Sequence, residues 1–126
     1  LTGAVLVALG DIATAAITND NAFLQPLLDA AKQTGEYIWE LPHYSEYKVK
    51  LNSDIADLKN SAGKHAGTIL GALFIGEFAE GLPWIHLDTG GTAWLWDENH
   101  LEPKGGTGAT VRTLLHYIET ATQGEG

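Results

Sequence analysis

From Ala22 to Gln33 the apolar positions Phe23, Leu24, Leu27, Leu28 and Ala31 return every three or four residues, the period of a helix with one buried stripe. Asn19-Asp20-Asn21 ahead of it supplies a turn and a capping oxygen. Thr34-Gly35 behind it supplies a stop, because glycine accepts the left-handed backbone that ends helices. The run Ala4, Val5, Val7, Ala8, Leu9 has no polar face, and period alone does not separate buried helix from buried strand; its small residues and leucine favour helix. Ile12 to Thr18 reads as a short strand. So does Tyr37-Ile38-Trp39, which Pro42 terminates because proline cannot donate to a ladder.

Further along, Ser45 is placed to cap a short helix through Leu51, and Ile55-Ala56-Asp57-Leu58 reads as a second brief extended stretch. Ser61 to Gly67 is a glycine-containing loop. Thr68 to Ala79 returns to a helical pattern, with Gly71, Ala72 and Gly76 permitting close backbone approach and Leu70, Leu73, Phe74 and Phe78 providing bulk. It predicts a central, largely buried helix. Trp84-Ile85-His86-Leu87 is the strongest strand, followed by a Gly90-Gly91 corner and an aromatic stretch from Thr92 to Trp96. A helix from Thr110 to Thr122 closes the pattern before a Gly124-Glu125-Gly126 tail. Alternating strands and helices predict an α/β fold with helices packed on a sheet.

At 126 residues the chain is long enough for one domain, 1–126, and too short for two. Seven Lys and Arg against sixteen Asp and Glu give a net charge of −9, which repels phosphate backbones and anionic membranes; neither nucleic acid nor membrane is an expected partner. With no cysteine there is no disulfide, thiolate metal site or cysteine nucleophile, and a reducing, cytoplasmic setting is expected. The apolar run Leu1 to Gly10 is about half a membrane span and has no basic segment before it. Beginning in mid-core at Leu1-Thr2-Gly3-Ala4-Val5, the chain reads as a segment of something longer.

Candidate chemistry is sparse. His86 and Asp88, two apart on a strand, share a face and suit one metal or a base and its orienter, although a polar pair finishing a buried strand is the commoner explanation. Gly105-Gly106-Thr107-Gly108 before the last helix has amides for an anion but lacks the lysine of a P-loop; a plain helix entry is the ordinary alternative. Asp54 and Asp57 suit acid/base work, or equally bracing of their loop. His43, His65, His100 and His116 have no ligand spacing. Trp39, Trp84, Trp94 and Trp96 are expected in the core first and at a subunit interface second.

Five segments in order resemble the leucine (cytosol) aminopeptidase family over essentially the whole chain. They are Leu1-Thr2-Gly3-Ala4 with Ala8-Leu9-Gly10; Trp39-Glu40-Leu41-Pro42; Ser53-Asp54-Ile55-Ala56-Asp57-Leu58-Lys59-Asn60; Trp84-Ile85-His86-Leu87-Asp88; and Thr107-Gly108-Ala109-Thr110-Val111-Arg112-Thr113-Leu114. The resemblance implies the C-terminal portion of a zinc-aminopeptidase-like catalytic domain, and with it a partial mixed sheet with helices packed on its faces. The complete enzyme would remove N-terminal residues from peptides with two ions, zinc or manganese, that polarise the scissile carbonyl and deliver a metal-bound hydroxide. The family's metal ligands belong upstream of the Leu-Thr-Gly segment, and its Asn-Thr-Asp-Ala-Glu-Gly-Arg signature does not occur here. No metal ligand and no catalytic residue is therefore assigned, and this chain by itself is expected to be inactive.

What the resemblance does carry over is the pocket for the substrate's first side chain, at Leu1, Gly3, Gly90 and Ala93, with backbone at Leu1 and Gly3 meeting the peptide main chain. The family usually has a small residue such as Ala where Gly90 stands, Ile or Met at Thr89, Arg-Pro-Gly-Gly in the loop Gly63-Lys64-His65-Ala66-Gly67, and Thr-Ala and a small residue at Leu70-Gly71-Ala72. It also forms hexamers of two trimers, so a homo-oligomer is expected. A non-catalytic remnant, acting as a self-association or peptide-interaction module, is the alternative reading.

Overall fold

Thr14–Thr18 (β1), with sequence Thr-Ala-Ala-Ile-Thr, is buried at every position. A strand that exposes no face must be covered on both faces and flanked at both edges, and the remaining elements supply that cover. The protein is described by a computed structural model over residues 2–123. Around β1 lie the helices Ala4–Leu9 (α1), Asn21–Thr34 (α2), Ser45–Val49 (α3), Gly67–Gly76 (α4) and Val111–Gln123 (α5). The other strands are Ile38–Glu40 (β2), Ile85–Asp88 (β3), Trp94–Leu95 (β4) and Gly105–Gly106 (β5).

β1 runs parallel to β2, pairing Thr14 with Ile38, and antiparallel to β3, pairing Ala15 with Asp88 and Ile17 with His86. The three-stranded sheet β2-β1-β3 is therefore mixed, as expected of the fold class. One face of β1 sends Ala15 and Ile17 against Val5 of α1 and Ala72 of α4, with Leu9, Leu41 and Trp84 closing the edges. The opposite face sends Ala16 against Leu24 and Leu27 of α2, joined by Ile85, Leu87 and Tyr117. A second cluster on the α4 side gathers Leu51, Ile69, Leu70 and Leu73.

Local chemistry explains most boundaries. Asp20 caps α2 by accepting the Phe23 amide at 3.1 Å, and Gly35 ends it at φ 76. The helix predicted over 68–79 is α-helical only to Gly76, and Glu77–Ala79 tightens to a 3₁₀ turn ended by Glu80 at φ 52. Gly76 leaves room for a side chain rather than backbone: a Cβ there would lie 2.4 Å from the Trp84 ring. Ser45 is not a cap. It is the first residue of α3, whose cap is Tyr44, and its hydroxyl donates to Glu46.

The predicted extended stretch Ile55–Leu58 is a loop of bends. It has no strand partner, and Ser53 Oγ accepts the Ile55 and Ala56 amides and curls the chain. The tryptophans also differ from expectation: Trp84 packs on the core, but Trp39, Trp94 and Trp96 are 65%, 52% and 78% exposed. Trp39 sits on the sheet's open edge β2, and the other two on a two-rung hairpin outside the sheet. The Gly124-Glu125-Gly126 tail lies outside the described residues.

The packing predicts a contrast within one helix. Leu73→Ala, which empties a 2%-exposed position, should cost about 2–5 kcal/mol in urea denaturation. Ile75→Ala, half exposed two residues on, should stay within about 0.5 kcal/mol of wild type. Equal losses at both would contradict the placement of α4.

Candidate functional site

Of the residues assigned to a substrate pocket, Gly3 and Gly90 lie against α1, and Ala93 closes the turn that follows the glycine corner. Leu1 lies outside the described residues. Gly3 opens α1 in the left-handed conformation, φ 71, and the Ala4 amide is satisfied by Thr2 Oγ1 at 3.1 Å. A Cβ on Gly67 would meet Ala4 Cβ at 2.9 Å and Thr2 Oγ1 at 3.1 Å, so the starts of α1 and α4 are in close contact. Between them opens a cleft of about 630 Å³ lined by Gly3, Val7, Ala8, His65 and Thr68. Ala66, in the loop where the family usually places glycines, holds the left-handed φ 55 that glycine adopts without steric cost.

The glycine corner after β3 grips the same helix. Asp88, 3% exposed, turns the chain by accepting the Gly90 amide at 3.0 Å. A Cβ on Gly90 would come within 3.0 Å of Val5 Cγ1, and one on Gly91 within 2.0 Å of the Gly10 carbonyl oxygen. Gly91 is thus required by backbone packed against backbone at the end of α1. The Thr92 and Ala93 amides both donate to the Thr89 carbonyl, which completes the turn and leaves Ala93 exposed. Gly3 and Gly90 both border α1 and are exposed, while Gly90 and Ala93 do not line the cleft beside Gly3.

His86 and Asp88 do share a face, the one turned toward α1 and α4, since they pair with Ile17 and Ala15 of that face. Burial holds the His86 imidazole below its ordinary pKa, with Asp88 partly offsetting that effect. A two-metal centre does not fit the donors present. One oxygen of Asp88 is committed to the Gly90 amide, and Asp54 and Asp57 stand on the exposed loop that Ser53 curls. Among the described residues no group of three or more His, Asp or Glu is placed to hold a metal. His43 is half-buried, His65 and His100 are exposed, and His116 bonds Gln33 at 2.8 Å.

The stretch Gly105–Gly108 is a strand and a helix entry, not a cradle for an outside anion. Gly105 and Gly106 pair with Leu95 and Trp94, and the start of α5 is already occupied by a carboxylate of the chain itself. Glu36, just beyond α2, accepts the Thr110 amide at 2.8 Å, the Thr113 amide at 3.1 Å and the Thr113 hydroxyl at 2.5 Å. Thr113 is fully buried and also meets Thr34 Oγ1 at 2.9 Å. A carboxylate at a helix N-terminus faces orphan amides and the positive end of the dipole. Sequence reasoning did not single out Glu36. Its one signal is a carboxylate directly after the Thr34-Gly35 stop, and nothing local identifies the distant helix it caps.

Solved structures define the class. Over 98% of this chain and 28% of its own length, the bottromycin maturation enzyme BotP superposes with a TM-score of 0.91 at 36% identity. A mutant tomato leucine aminopeptidase superposes with a TM-score of 0.83 at 35% identity, over 94% of this chain and 23% of its own. The fold is that of a leucine aminopeptidase domain. Among curated proteins, the probable cytosol aminopeptidases of Alkaliphilus oremlandii and Alkaliphilus metalliredigens are 51% and 53% identical over 120 residues, 95% of this chain. The profile of the cytosol aminopeptidase family's catalytic domain matches residues 1–115, and the chain belongs to that family. It spans about a quarter of the length of these curated relatives, 24% in each. No helix among the described residues is long and apolar enough to cross a membrane.

Glu36 carries a pH signature. Burial pushes its pKa up, but the Thr113 hydroxyl, the Thr110 and Thr113 amides and the Arg112 guanidinium outweigh it, and the group ends below its ordinary 4.5. Asp11, Tyr37 and Glu102 line the same cleft of about 400 Å³. A depressed folded pKa means stability present above the unfolded value and lost as pH falls through the folded one. Wild type should therefore exceed Glu36→Gln in urea denaturation at pH 7, and the gap should narrow steadily below pH 4.5. A gap that stays constant down to pH 3 would mean that the charge of Glu36 is not what holds α5.

Proposed function

We propose that this chain is the pocket-bearing part of a dinuclear-metal aminopeptidase that removes N-terminal residues from peptides. Its metal ligands are supplied by family sequence upstream of the Leu-Thr-Gly segment. The observation that carries the reading is the glycine corner clamped on α1: Gly91 against the Gly10 carbonyl and Gly90 against Val5, with Gly3 and Gly90 left exposed beside the helix and Ala93 exposed on the turn that follows. Exposed positions with little or no side chain admit a peptide main chain closely and leave a recess for its first side chain. Leu1 and Gly3 bind the peptide backbone in this reading, and Gly90 and Ala93 bound the side-chain recess.

Zinc or manganese, when bound by the complete enzyme, would supply the Lewis acid and the activated water; one solved BotP structure is a complex with Mn. The residues of this chain hold neither ion in this reading. Their part is to position the peptide, and the chain by itself is inactive.

A specific feature favours self-association as well. Val111, Leu114, Leu115 and Ile118 form an exposed apolar stripe along α5, at the i, i+3, i+4 and i+7 spacing of one helix face. Trp94 and Trp96 add exposed aromatic surface on the β4 hairpin. Covering such surface with a second copy accords with a homo-oligomer, and it is also what a non-catalytic module would use.

Two measurements separate these readings. The purified chain should release no anilide from leucine anilide with added zinc or manganese. A chimera in which it replaces the matching quarter of the Alkaliphilus oremlandii protein should be active, and Ala93→Leu should lower its kcat/KM for bulky first residues by roughly tenfold or more. Turnover by the chain alone would show that the ligands have been misplaced; an active chimera indifferent to Ala93→Leu would remove Ala93 from the pocket. In sedimentation velocity the chain should run as an oligomer, and a clean monomer would count against self-association.

A further inference from the structure

Glu36 is remote in sequence from every pocket position, yet a continuous line of hydrogen bonds leads from it to Ala93. Its carboxylate seats Thr110 and Thr113. Immediately before them, the Ala109 amide and the Val111 amide close the turn onto Thr107 Oγ1 at 3.1 Å and the Gly108 carbonyl at 3.0 Å. Thr107 then reaches back across the hairpin: its hydroxyl donates to the Thr92 carbonyl at 2.6 Å, and its amide to the Ala93 carbonyl at 3.1 Å. We propose that Glu36 is a positioning residue for the Ala93 wall of the substrate pocket, acting through the first turn of α5 and Thr107. The proposal rests on the reading that Ala93 bounds that pocket.

Three features make the line mechanically necessary. The β4–β5 ladder has only two rungs, and β5 consists of two glycines, one at φ 122; so short a hairpin has little stability of its own. Thr110, a β-branched residue, is held at φ 72, a conformation it adopts only when its surroundings fix it. The groups aimed at Glu36 are two amides and a hydroxyl, all donors, which asks for an acceptor-only partner. Glutamine would turn an NH₂ group toward one of them. Thr92 has a second tie, its hydroxyl lying 2.7 Å from that of Thr14 on the buried strand β1. Loss of Glu36 should therefore release Ala93 and the hairpin beyond it while leaving Thr92 anchored to the sheet.

Amide hydrogen exchange in the ¹⁵N-labelled chain tests this directly. In Glu36→Ala the Thr107 amide, which bonds Ala93, should exchange roughly tenfold faster or more, with Ala16 and Ile17 of β1 changed less than about twofold. Thr107→Val, which deletes the hydroxyl joining the Ala109 amide to the Thr92 carbonyl, should speed exchange at the Thr107 amide while Thr110 and Thr113 stay protected, and it keeps the test open if Glu36→Ala does not fold. Acceleration of Thr110 and Thr113 without Thr107, uniform acceleration that includes β1, or a Thr107→Val variant indistinguishable from wild type would each overturn the proposal. The chimera separates this idea from the pocket reading. Glu36→Gln should shift its kcat/KM ratio between leucine and alanine anilides several-fold, in the direction that Ala93→Leu shifts it. If Ala93→Leu moves the ratio and Glu36→Gln does not, the latch fails and the pocket stands; if exchange behaves as expected and neither variant moves the ratio, the pocket reading fails and the bond line stands.

Discussion

The constraint from which the architecture follows is that β1 is apolar enough to be buried whole and too short to do anything else. Thr-Ala-Ala-Ile-Thr offers small side chains, so the helices on either face come close: Val5 and Ala72 against Ala15 and Ile17, Leu24 and Leu27 against Ala16. Its threonines occupy the two ends of the strand, where each hydroxyl finds a polar partner; Thr18 donates to the Trp84 carbonyl at 2.6 Å and Thr14 meets Thr92. Burying a hydroxyl without a partner would cost about 1–3 kcal/mol, so these bonds also select which loops lie at each end of the sheet. The Thr14–Thr92 bond is the one that brings the glycine corner to its place over α1.

That corner shows how little tolerance the site has. Gly91 faces the Gly10 carbonyl at a separation no Cβ allows, and a Cβ on Gly90 would press on Val5 at 3.0 Å, inside ordinary van der Waals contact. Side chains are absent there because α1 is a single short helix lying directly on the sheet end, and its position is defined by backbone contact at its C-terminus. A junction built this way has its shape set by main chain, which moves little.

Much of the fold was legible because its signals are local. The Asp20 cap, the Gly35 stop, the apolar period of α2 and the Trp84-Ile85-His86-Leu87 run of β3 are each complete within a short stretch. The misreadings fall where tertiary context decides. Ile55-Ala56-Asp57-Leu58 reads as extended, but it pairs with no strand and Ser53 offers its amides a local acceptor. The aromatic content of Trp94-Leu95-Trp96 suggested core, yet the hairpin carrying it pairs only with Gly105 and Gly106 and projects from the sheet. The assignment of pocket positions came only from resemblance, since glycine and alanine carry no chemistry that composition or spacing could flag.

Glu36 was illegible in the sequence for a different reason. Its role is defined by residues more than seventy positions away, and the feature that reveals it is the set of donors converging on it rather than anything in its neighbourhood. The same geometry explains an otherwise costly choice: a charged group is placed half-buried between α2 and α5 where an apolar residue would pack. An apolar side chain there would leave the Thr110 and Thr113 amides without acceptors in a cleft whose floor is fully buried at Thr113. A water molecule would satisfy one or two of them but would not fix the angle between the two helices. A carboxylate attached to the end of α2 does both, because it accepts all three hydrogen bonds and is itself covalently tied to the strand that follows, β2. The position of α5, and with it the turn that holds Thr107, is thereby referred to the central sheet through this side chain together with the Thr34–Thr113 and His116–Gln33 bonds and the packing of Tyr117.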